Sequence, residues 1–230
     1  MFIKSFSAMF SAVRLLFKSR LVLLTLLLSW AGLLTAVYVF ASTREATIFQ
    51  LLLTLVVVIA APALFFVLQA VSVTYADGLV SRKLLFDCLK LIVVSMPVIA
   101  VTLLGVYGLN KVQTHVTLAT TLRYLLIAVV APMLAIQLWI TTTNSGLRTL
   151  VRTMRGVLSR TFAPPSTFVY GCGFLIFAVV PYLLMQTGTS IQRPWLELSV
   201  LMLRLTASAL LILLGWVTTV GAITILNRSK

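Results

Sequence analysis

Six long apolar stretches constrain this chain more than any other feature of its sequence. A helix needs about 20 mostly apolar residues to cross the hydrocarbon core of a bilayer. We predict spans over about 21–41, 50–75, 89–109, 122–143, 167–187 and 205–226. The stretches are continuous and do not alternate apolar with polar residues, so they are not typical of a membrane β-barrel. The sequence therefore predicts an all-α integral membrane bundle of six transmembrane helices.

Composition and cysteine usage also indicate a membrane protein. Of the 230 residues, 61% are hydrophobic and 10% are charged, whereas about 25% of the residues in a soluble domain are charged. This difference excludes a soluble enzyme, a disordered chain and a disulfide scaffold. The first apolar stretch is too long for a signal peptide, and we expect it to remain in the protein. Cys88 and Cys172 lie at span ends in an expected reducing compartment, so we expect no disulfide.

The basic residues divide unequally between the two sides of the predicted bundle. The chain has 18 Lys and Arg residues against 4 acidic residues, which gives a net charge of +14. Thirteen of the 18 lie in the N-terminal segment, the connections 77–90 and 144–166, and the C-terminal tail, which together we call the basic side. The positive-inside rule places this side in the cytoplasm. We therefore predict a multi-pass protein of a plasma membrane of the bacterial inner-membrane type, with both termini cytoplasmic.

Three segments on the basic side are able to form amphipathic helices in the membrane interface, because their apolar residues recur at helical spacing. The apolar face of the first segment, 1–20, comprises Phe6, Met9, Phe10, Val13, Leu16 and Phe17. The apolar face of the second, 146–162, comprises Leu147, Leu150, Val151, Met154 and Leu158. The third segment is 79–90. Asn144 and Asp77 are positioned to cap the helices over 146–162 and 79–90.

The basic residues of these segments are candidate contacts for anionic phospholipid headgroups or for a partner protein. They are Arg14, Lys18, Arg82, Lys83, Arg148, Arg152, Arg155 and Arg160. Topology determination alone would explain the same residues. We expect no nucleic-acid partner, because the basic residues follow the positive-inside pattern and form no separate basic domain.

The domain organisation follows from the spans. We predict an N-terminal amphipathic interfacial helix over 1–20, a single six-helix transmembrane domain over 21–226 and a cytoplasmic tail over 227–230. Residues 88–97 match 172–181 weakly, and a shorter match upstream pairs Pro62 with Pro132. These matches indicate either a parallel internal repeat or the chance likeness of two apolar helices.

Seven residues in or near the spans are candidates for helix kinks or for a polar path. They are Pro62, Pro97, Pro132, Pro181, Gln69, Gln137 and Arg204. Kinked helices line substrate sites in many transporters, but proline is also common in ordinary membrane helices. The glutamines are equally suited to hydrogen bonding between helices. We expect Arg204 at the external boundary of the sixth span, where its side chain extends toward water or Glu197.

The titratable residues argue against catalysis within the membrane. The acidic residues lie outside the spans or at their ends, and they are Glu45, Asp77, Asp87 and Glu197. The single histidine, His115, lies in an external connection. The chain therefore offers no proton relay within the membrane, no acid–base pair or metal cluster and no nucleotide-binding motif. We predict a protein that is not an enzyme and has no cofactor.

Two function classes remain. The first is a structural or accessory subunit that contacts anionic phospholipid and other membrane subunits. The second is a permease subunit that moves a lipid-like or apolar substrate and is energised by a separate ATPase. An amphipathic N-terminal helix followed by six spans resembles the layout of ABC-2-type permease subunits. This resemblance is one of topology, and it implies a cytoplasmic ATPase partner that binds 79–90 or 146–162.

Overall fold

The fold is helical throughout the part of the chain that the structure, a computed structural model, describes. That part is residues 2–43, 47–77, 83–111, 116–188 and 193–228, without the side chains of Asp77, Arg148 and Val151. No β-strand occurs in these ranges. The all-α class predicted from the sequence is therefore confirmed.

Ten α-helices occur in the described ranges. They are α1 (Phe2–Lys18), α2 (Arg20–Ser42), α3 (Ile48–Thr74), α4 (Leu84–Asn110), α5 (Val116–Leu125), α6 (Ala131–Ser145), α7 (Leu147–Thr161), α8 (Pro164–Phe174), α9 (Val180–Gln186) and α10 (Pro194–Arg228). A 3₁₀ turn, Tyr75–Asp77, follows α3. One π-turn, Leu126–Val130, joins α5 to α6, and another, Leu175–Val179, joins α8 to α9.

Six helical stretches are long and apolar enough to cross a membrane, which confirms the six predicted spans. They are Arg20–Ser42, Ile48–Thr74, Leu84–Asn110, Val116–Ser145, Pro164–Gln186 and Pro194–Arg228. The sixth is longer than the predicted 205–226, because the helix begins at Pro194 and continues without a break. This protein is therefore a multi-pass membrane protein.

Each π-turn ends two residues before a proline, Pro132 in one case and Pro181 in the other. Proline has no backbone N–H and its ring crowds the carbonyl of the residue four positions earlier. Just before Pro132 the backbone takes the wider turn, in which the N–H of Ala131 bonds the carbonyl of Leu126, five residues back. Val180 and Leu175 form the same bond in the fifth span. The two prolines therefore occupy matching local structures.

The prolines of the second and third spans behave differently. Pro62 and Pro97 lie inside α3 and α4, neither of which contains a π-turn. The repeat predicted from the sequence aligns Pro62 with Pro132 and Pro97 with Pro181, which pairs positions of different backbone structure. The internal repeat stays a prediction.

Polar caps set the starts of α2 and α3. The Ser19 hydroxyl accepts a hydrogen bond from the N–H of Val22 at 3.4 Å, so α2 begins at Arg20. Thr47 and Gln50 form a capping box, in which Thr47 Oγ1 accepts from the Gln50 N–H at 3.3 Å and Gln50 Oε1 accepts from the Thr47 N–H at 3.0 Å. Such caps pair backbone N–H groups that have no partner within the helix.

Two sequence predictions about helix starts on the basic side are wrong. Asn144 lies inside α6, and Gly146 occupies the capping position of α7 with no side-chain hydrogen bond. Residues 84–90 are the first turns of α4 and are continuous with the third span, so they form no separate interfacial helix. Residues 79–82 and the side chain of Asp77 lie outside the described part of the chain.

Gly146 forms the corner between α6 and α7. Its φ of 79° and ψ of 168° are a conformation that essentially only glycine adopts. We expect Gly146→Ala to reduce stability by about 1–3 kcal/mol, because alanine would be strained at this corner. Thermal unfolding of the purified protein in detergent measures the change. The control is Gly156→Ala within α7, where the added methyl meets open space and helix propensity favours alanine. Equal losses in the two variants would contradict the assignment.

The chain divides into two compact units. The central unit is Ser19–Ala163, and the terminal unit combines Met1–Lys18 with Pro164–Lys230. In the central unit, α3 packs against α2, α4 and α6, and α7 packs against α6. In the terminal unit, α10 packs against α1, α8 and α9. The single domain over 21–226 stays a prediction beside this division.

Burial is concentrated in the halves of the helices that border the basic side. In α3 the buried residues include all of 68–74, and in α6 they include all of 135–142. In α10 most residues of 213–226 are buried, whereas none before Ser208 is. The amphipathic helices α1 and α7 therefore adjoin the most tightly packed part of their units.

Candidate functional site

The helix α7 presents three of the candidate arginines, Arg152, Arg155 and Arg160, on exposed surface. Another side of the helix is fixed to the central unit by Val157, which is buried in a cluster with Val94 of α4 and Leu138 of α6. At about 100° per residue, Arg155 lies almost opposite Val157, whereas Arg160 lies on the flank of the buried side. The contact with two spans holds α7 in place, so the positions of its arginines are defined. Arg148 is in the same helix, but its side chain lies outside the described residues.

A band of exposed apolar side chains lies on α7 between the buried face and Arg155. Its members are Leu147, Met154 and Leu158, and Phe162 follows at the end of the helix. Because an α-helix has 3.6 residues per turn, Val157, Leu158 and Arg155 fall on successive sectors of its circumference. The helix α7 therefore has a buried face, an exposed apolar face and a basic face.

The helix α1 has the same three kinds of face. Small residues dominate its buried face, which comprises Ser5, Ala8, Ala12 and Leu16. They bring α1 close to α8 and α10 within the terminal unit. The sequence prediction placed Leu16 with the phenylalanines on one apolar face. That grouping is wrong, because Leu16 is fully buried whereas Phe6, Phe10 and Phe17 are exposed.

The exposed side of α1 is aromatic along one edge and basic along the other. The aromatic edge comprises Phe2, Ile3, Phe6, Phe10, Val13 and Phe17. Its start is ordered by the Phe168 ring of α8, whose centroid lies 5.0 Å from that of Phe2 and 5.4 Å from that of Phe6. The basic edge comprises the exposed residues Lys4, Arg14 and Lys18. The exposed side of α1 therefore consists of an aromatic edge and a basic edge.

The third basic segment is less uniform. Arg82 lies outside the described residues, and Lys83 immediately precedes α4 with an exposed side chain. An open cavity of about 440 Å³ is lined by residues 83–86. Asp87 pairs with Lys90 at 3.1 Å, and the Lys90 ammonium also lies 4.5 Å from the centre of the Phe86 ring. Part of the positive charge here is therefore compensated within the same helix, whereas α1 and α7 contain no acidic residue.

Tyr75 begins the 3₁₀ turn that follows α3 and is almost completely buried. Desolvation by this burial raises the pKa of its phenol above the ordinary value. A tyrosine phenol is protonated at neutral pH even at its ordinary pKa, so Tyr75 adds no negative charge to the basic side.

Polar side chains within the spans mostly bond to their own helices. Six buried hydroxyls donate to the carbonyl one turn back at 2.6–2.9 Å, and they belong to Ser72, Thr74, Ser95, Thr141, Thr219 and Thr224. Gln69 and Gln137 are also buried, both in the central unit. A hydroxyl that donates to a carbonyl of its own helix has a hydrogen-bond partner inside the apolar core, so it needs no water-filled path.

One hydrogen bond joins two spans and is not predicted by hydropathy or spacing. Trp139 Nε1 of α6 donates to Ser95 Oγ of α4 at 2.8 Å, and Ser95 Oγ donates in turn to the Leu91 carbonyl at 2.7 Å. The Phe65 ring of α3 packs edge-on to Trp139 with centroids 6.4 Å apart. Tryptophan is enriched at the membrane interfaces. A tryptophan inside a predicted span is therefore the sequence feature that could indicate a hydrogen bond between spans.

Arg204 reaches the end of the neighbouring helix. Its guanidinium donates to the carbonyl of Thr187, the residue that terminates α9. Helix C-termini carry partial negative charge, so a cation is stabilised there. No hydrogen bond or ion pair joins Arg204 to Glu197, and both residues are within the described ranges. Of the two directions expected for this side chain, water or Glu197, the contact with Glu197 is not formed, and Arg204 instead contacts a backbone carbonyl within the terminal unit.

Among the residues that the structure describes, no group of three or more His, Cys, Asp or Glu side chains could hold a metal ion. Cys88 and Cys172 are both free thiols. Comparison with protein-family models, with curated proteins and with solved structures found no match. Two candidate surfaces are carried by the geometry, the exposed face of α7 in the central unit and the exposed face of α1 in the terminal unit.

Proposed function

We propose that this protein is a non-catalytic accessory subunit of a membrane complex that contacts anionic phospholipid on its basic side. One observation carries the proposal. Each of α1 and α7 buries one face in its own unit and exposes an apolar face beside a basic face. A helix with this division is suited to the boundary between acyl chains and headgroups.

The charge of these two helices favours an anionic neighbour. Neither α1 nor α7 contains an acidic residue, so the positive charge of each helix is not compensated within it. Each Lys or Arg near an anionic membrane surface contributes about 1 kcal/mol to binding. Anionic headgroups would relieve the mutual repulsion of Arg152, Arg155 and Arg160, whose side chains already lie at the surface.

Two features of the spans favour a structural role over a transport role. The buried hydroxyls of Ser72, Thr141 and Thr219 bond to carbonyls of their own helices, and the buried Trp139 bonds across two spans. Both arrangements strengthen helix packing. The halves of the spans away from the basic side expose apolar side chains, which are suited to contact with the spans of other membrane subunits.

The cellular location is part of the proposal. The unequal distribution of Lys and Arg supports a cytoplasmic position for the basic side, including both termini. The membrane would then be a plasma membrane of the bacterial inner-membrane type. Anionic lipid at its cytoplasmic surface would meet α1 and α7 directly.

A second candidate function is a permease subunit for a lipid-like or apolar substrate, energised by a separate ATPase. The observation that favours it is the pair of π-turns before Pro132 and Pro181. Such turns are frequent at functional sites. An ATPase partner would bind on the basic side, where the arginines of α7 are exposed.

Purification in mild detergent distinguishes the two candidates. We expect the tagged chain, extracted from its native membrane, to retain other membrane subunits in fixed ratio together with anionic phospholipid. We expect the triple variant Arg152→Gln, Arg155→Gln, Arg160→Gln to retain less anionic lipid, because the basic face of α7 is removed. The control variant changes three exposed hydroxyl residues of the same helix, Thr149→Ala, Thr153→Ala and Ser159→Ala. Mass spectrometry identifies the bound proteins and lipids.

Three results would contradict the proposal or a part of it. A soluble ATPase in fixed ratio, without membrane subunits, would support the permease candidate instead. A chain that purifies alone in mild detergent would contradict the accessory role. Equal lipid retention by the arginine variant and the hydroxyl control would contradict lipid contact through α7.

A further inference from the structure

We propose that α1 is inserted in the bilayer surface. Its aromatic edge then lies among the acyl chains, and its basic edge contacts the headgroup phosphates of anionic lipid. The inference rests on the proposed function and identifies the residues that make the lipid contact. The partner is a bilayer surface that carries anionic lipid, next to the terminal unit.

The aromatic edge is the first support. Phe10 is 74% exposed, and Phe6 and Phe17 are each 58% exposed. These rings lie on a helix whose protein-facing side is already occupied by Ser5, Ala8, Ala12 and Leu16. Rings left outside the protein core are stabilised by transfer out of water, and an amphipathic helix achieves this by entering the headgroup–acyl boundary to about 5–10 Å.

The basic edge is the second support. Lys4, Arg14 and Lys18 are all exposed, and at 1.5 Å per residue the row from Lys4 to Lys18 is about 20 Å long. A row of this length spans several lipid headgroups, whereas one free phosphate ion could not contact both Lys4 and Lys18. The geometry therefore favours a bilayer surface over a soluble anion.

The buried edge determines how the other two are presented. Small side chains at Ser5, Ala8 and Ala12 allow α1 to lie close against α8 and α10. The helix is therefore fixed about its own axis, and its aromatic and basic edges are presented at a constant angle. An acidic protein would complement the basic edge but not the neighbouring phenylalanines. A lipid surface complements both.

Fluorescence quenching in nanodiscs tests the insertion. The full-length protein is prepared with Cys88→Ala and Cys172→Ala and a single new cysteine, Phe10→Cys or Ser11→Cys. These adjacent positions are equally far along the helix, but they point in directions about 100° apart. We expect lipids brominated in the acyl chains to quench a fluorophore at position 10 severalfold more than one at position 11.

A second pair, Phe17→Cys and Ser7→Cys, repeats the comparison if a member of the first pair does not yield monodisperse protein. Equal quenching at aromatic and polar positions would overturn the insertion. So would quenching that is negligible at both.

The lipid preference is tested with headgroup-labelled phosphatidylglycerol in phosphatidylcholine discs. We expect energy transfer from a fluorophore at position 11 to exceed the value for random mixing severalfold. We expect the variant Lys4→Gln, Arg14→Gln, Lys18→Gln to lose this excess. A control with the same change in net charge, Lys111→Gln, Arg123→Gln, Arg193→Gln, should retain it. Loss of the excess in both variants, or in neither, would overturn the assignment to α1.

Two further comparisons complete the test. One distinguishes bilayer lipid from a free anion as the ligand of α1, and the other separates the insertion of α1 from the proposed accessory role. Displacement of phosphatidylglycerol by added inorganic phosphate would indicate a free-anion site and overturn the lipid assignment. The discs contain only this chain, so their result does not depend on partner subunits. If position 10 is unquenched while membrane subunits still copurify, the insertion of α1 fails and the accessory role stands.

Discussion

Replacing Gly173 with leucine is expected to disrupt the packing of α8 against α10 and to prevent isolation of a monodisperse protein. Gly173 is buried in α8, and a Cβ atom there would lie 2.9 Å from the Cβ and Cγ2 atoms of Thr219 and would collide with its Oγ1. Thr219 is itself buried in α10 and has no open space to move into. Added bulk in a packed core costs about 1–3 kcal/mol even for small extensions, so we expect Gly173→Ala to fold with reduced stability.

The measurement is thermal unfolding in detergent, followed by size-exclusion chromatography. Gly171 provides a matched control two residues earlier in α8, where an added Cβ atom meets nothing within 4 Å. We expect Gly171→Ala and Gly171→Leu to behave like the unmodified protein. Leucine tolerated equally at positions 171 and 173 would contradict the close packing of α8 on α10.

Gly215 and Gly105 extend this comparison. A Cβ atom at Gly215 of α10 would lie 2.9 Å from Phe177 Cβ and 3.1 Å from the Phe177 backbone nitrogen. Backbone atoms cannot move aside as a flexible side chain can. Glycine is therefore required at position 215 for α10 to lie this close to the π-turn Leu175–Val179. A Cβ atom at Gly105 of α4 would lie 2.8 Å from the Cδ2 atom of Leu126. Because that atom is the end of a flexible side chain, alanine should be tolerated better at position 105 than at position 215.

Replacing Trp139 with alanine is expected to give the second large loss of stability, about 3–5 kcal/mol. Trp139 is 4% exposed, and its removal would leave a cavity beside Phe65 and delete the hydrogen bond to Ser95. Trp139→Phe should cost much less, because a phenyl ring still fills most of the space and a hydrogen bond between membrane helices contributes only about 0.6 kcal/mol.

Thermal unfolding again gives the readout, with Trp195→Ala as the control. Trp195 lies near the start of α10 and is 63% exposed, so its replacement should change stability by about 0.5 kcal/mol or less. Ser95→Ala tests the hydrogen bond separately. Once Ser95 is replaced, the additional cost of Trp139→Phe should be smaller than in the unmodified protein. A full-sized cost in both backgrounds would contradict an energetic link between α4 and α6.

The limits of the sequence prediction are visible in individual helices. The third span was predicted to begin near residue 89, and α4 begins at Leu84. Hydropathy identifies the part of a helix that crosses hydrocarbon, but the helix continues beyond that part because its backbone hydrogen bonds continue. For the same reason α10 begins at Pro194 rather than near residue 205.

The candidate site shows a different limit. The spacing of Phe6, Phe10 and Leu16 indicated one apolar face on α1, but Leu16 packs into the terminal unit while the phenylalanines are exposed. In a membrane protein both lipid-facing and protein-facing positions are apolar, so hydropathy does not separate them. The small residues Ala8 and Ala12 mark the protein-facing side, because small side chains permit close helix approach.

The sequence by itself determined the helical class, the number of spans and the unequal distribution of positive charge. A bilayer requires long apolar segments whose backbone groups are satisfied internally, and both requirements are visible in one dimension. Only the tertiary structure decided which face each helix buries, where the π-turns lie, and that Gly173 faces Thr219 and Trp139 faces Ser95. Helix association in lipid depends on shape and close contact rather than on hydrophobicity, and those contacts join residues far apart in the chain.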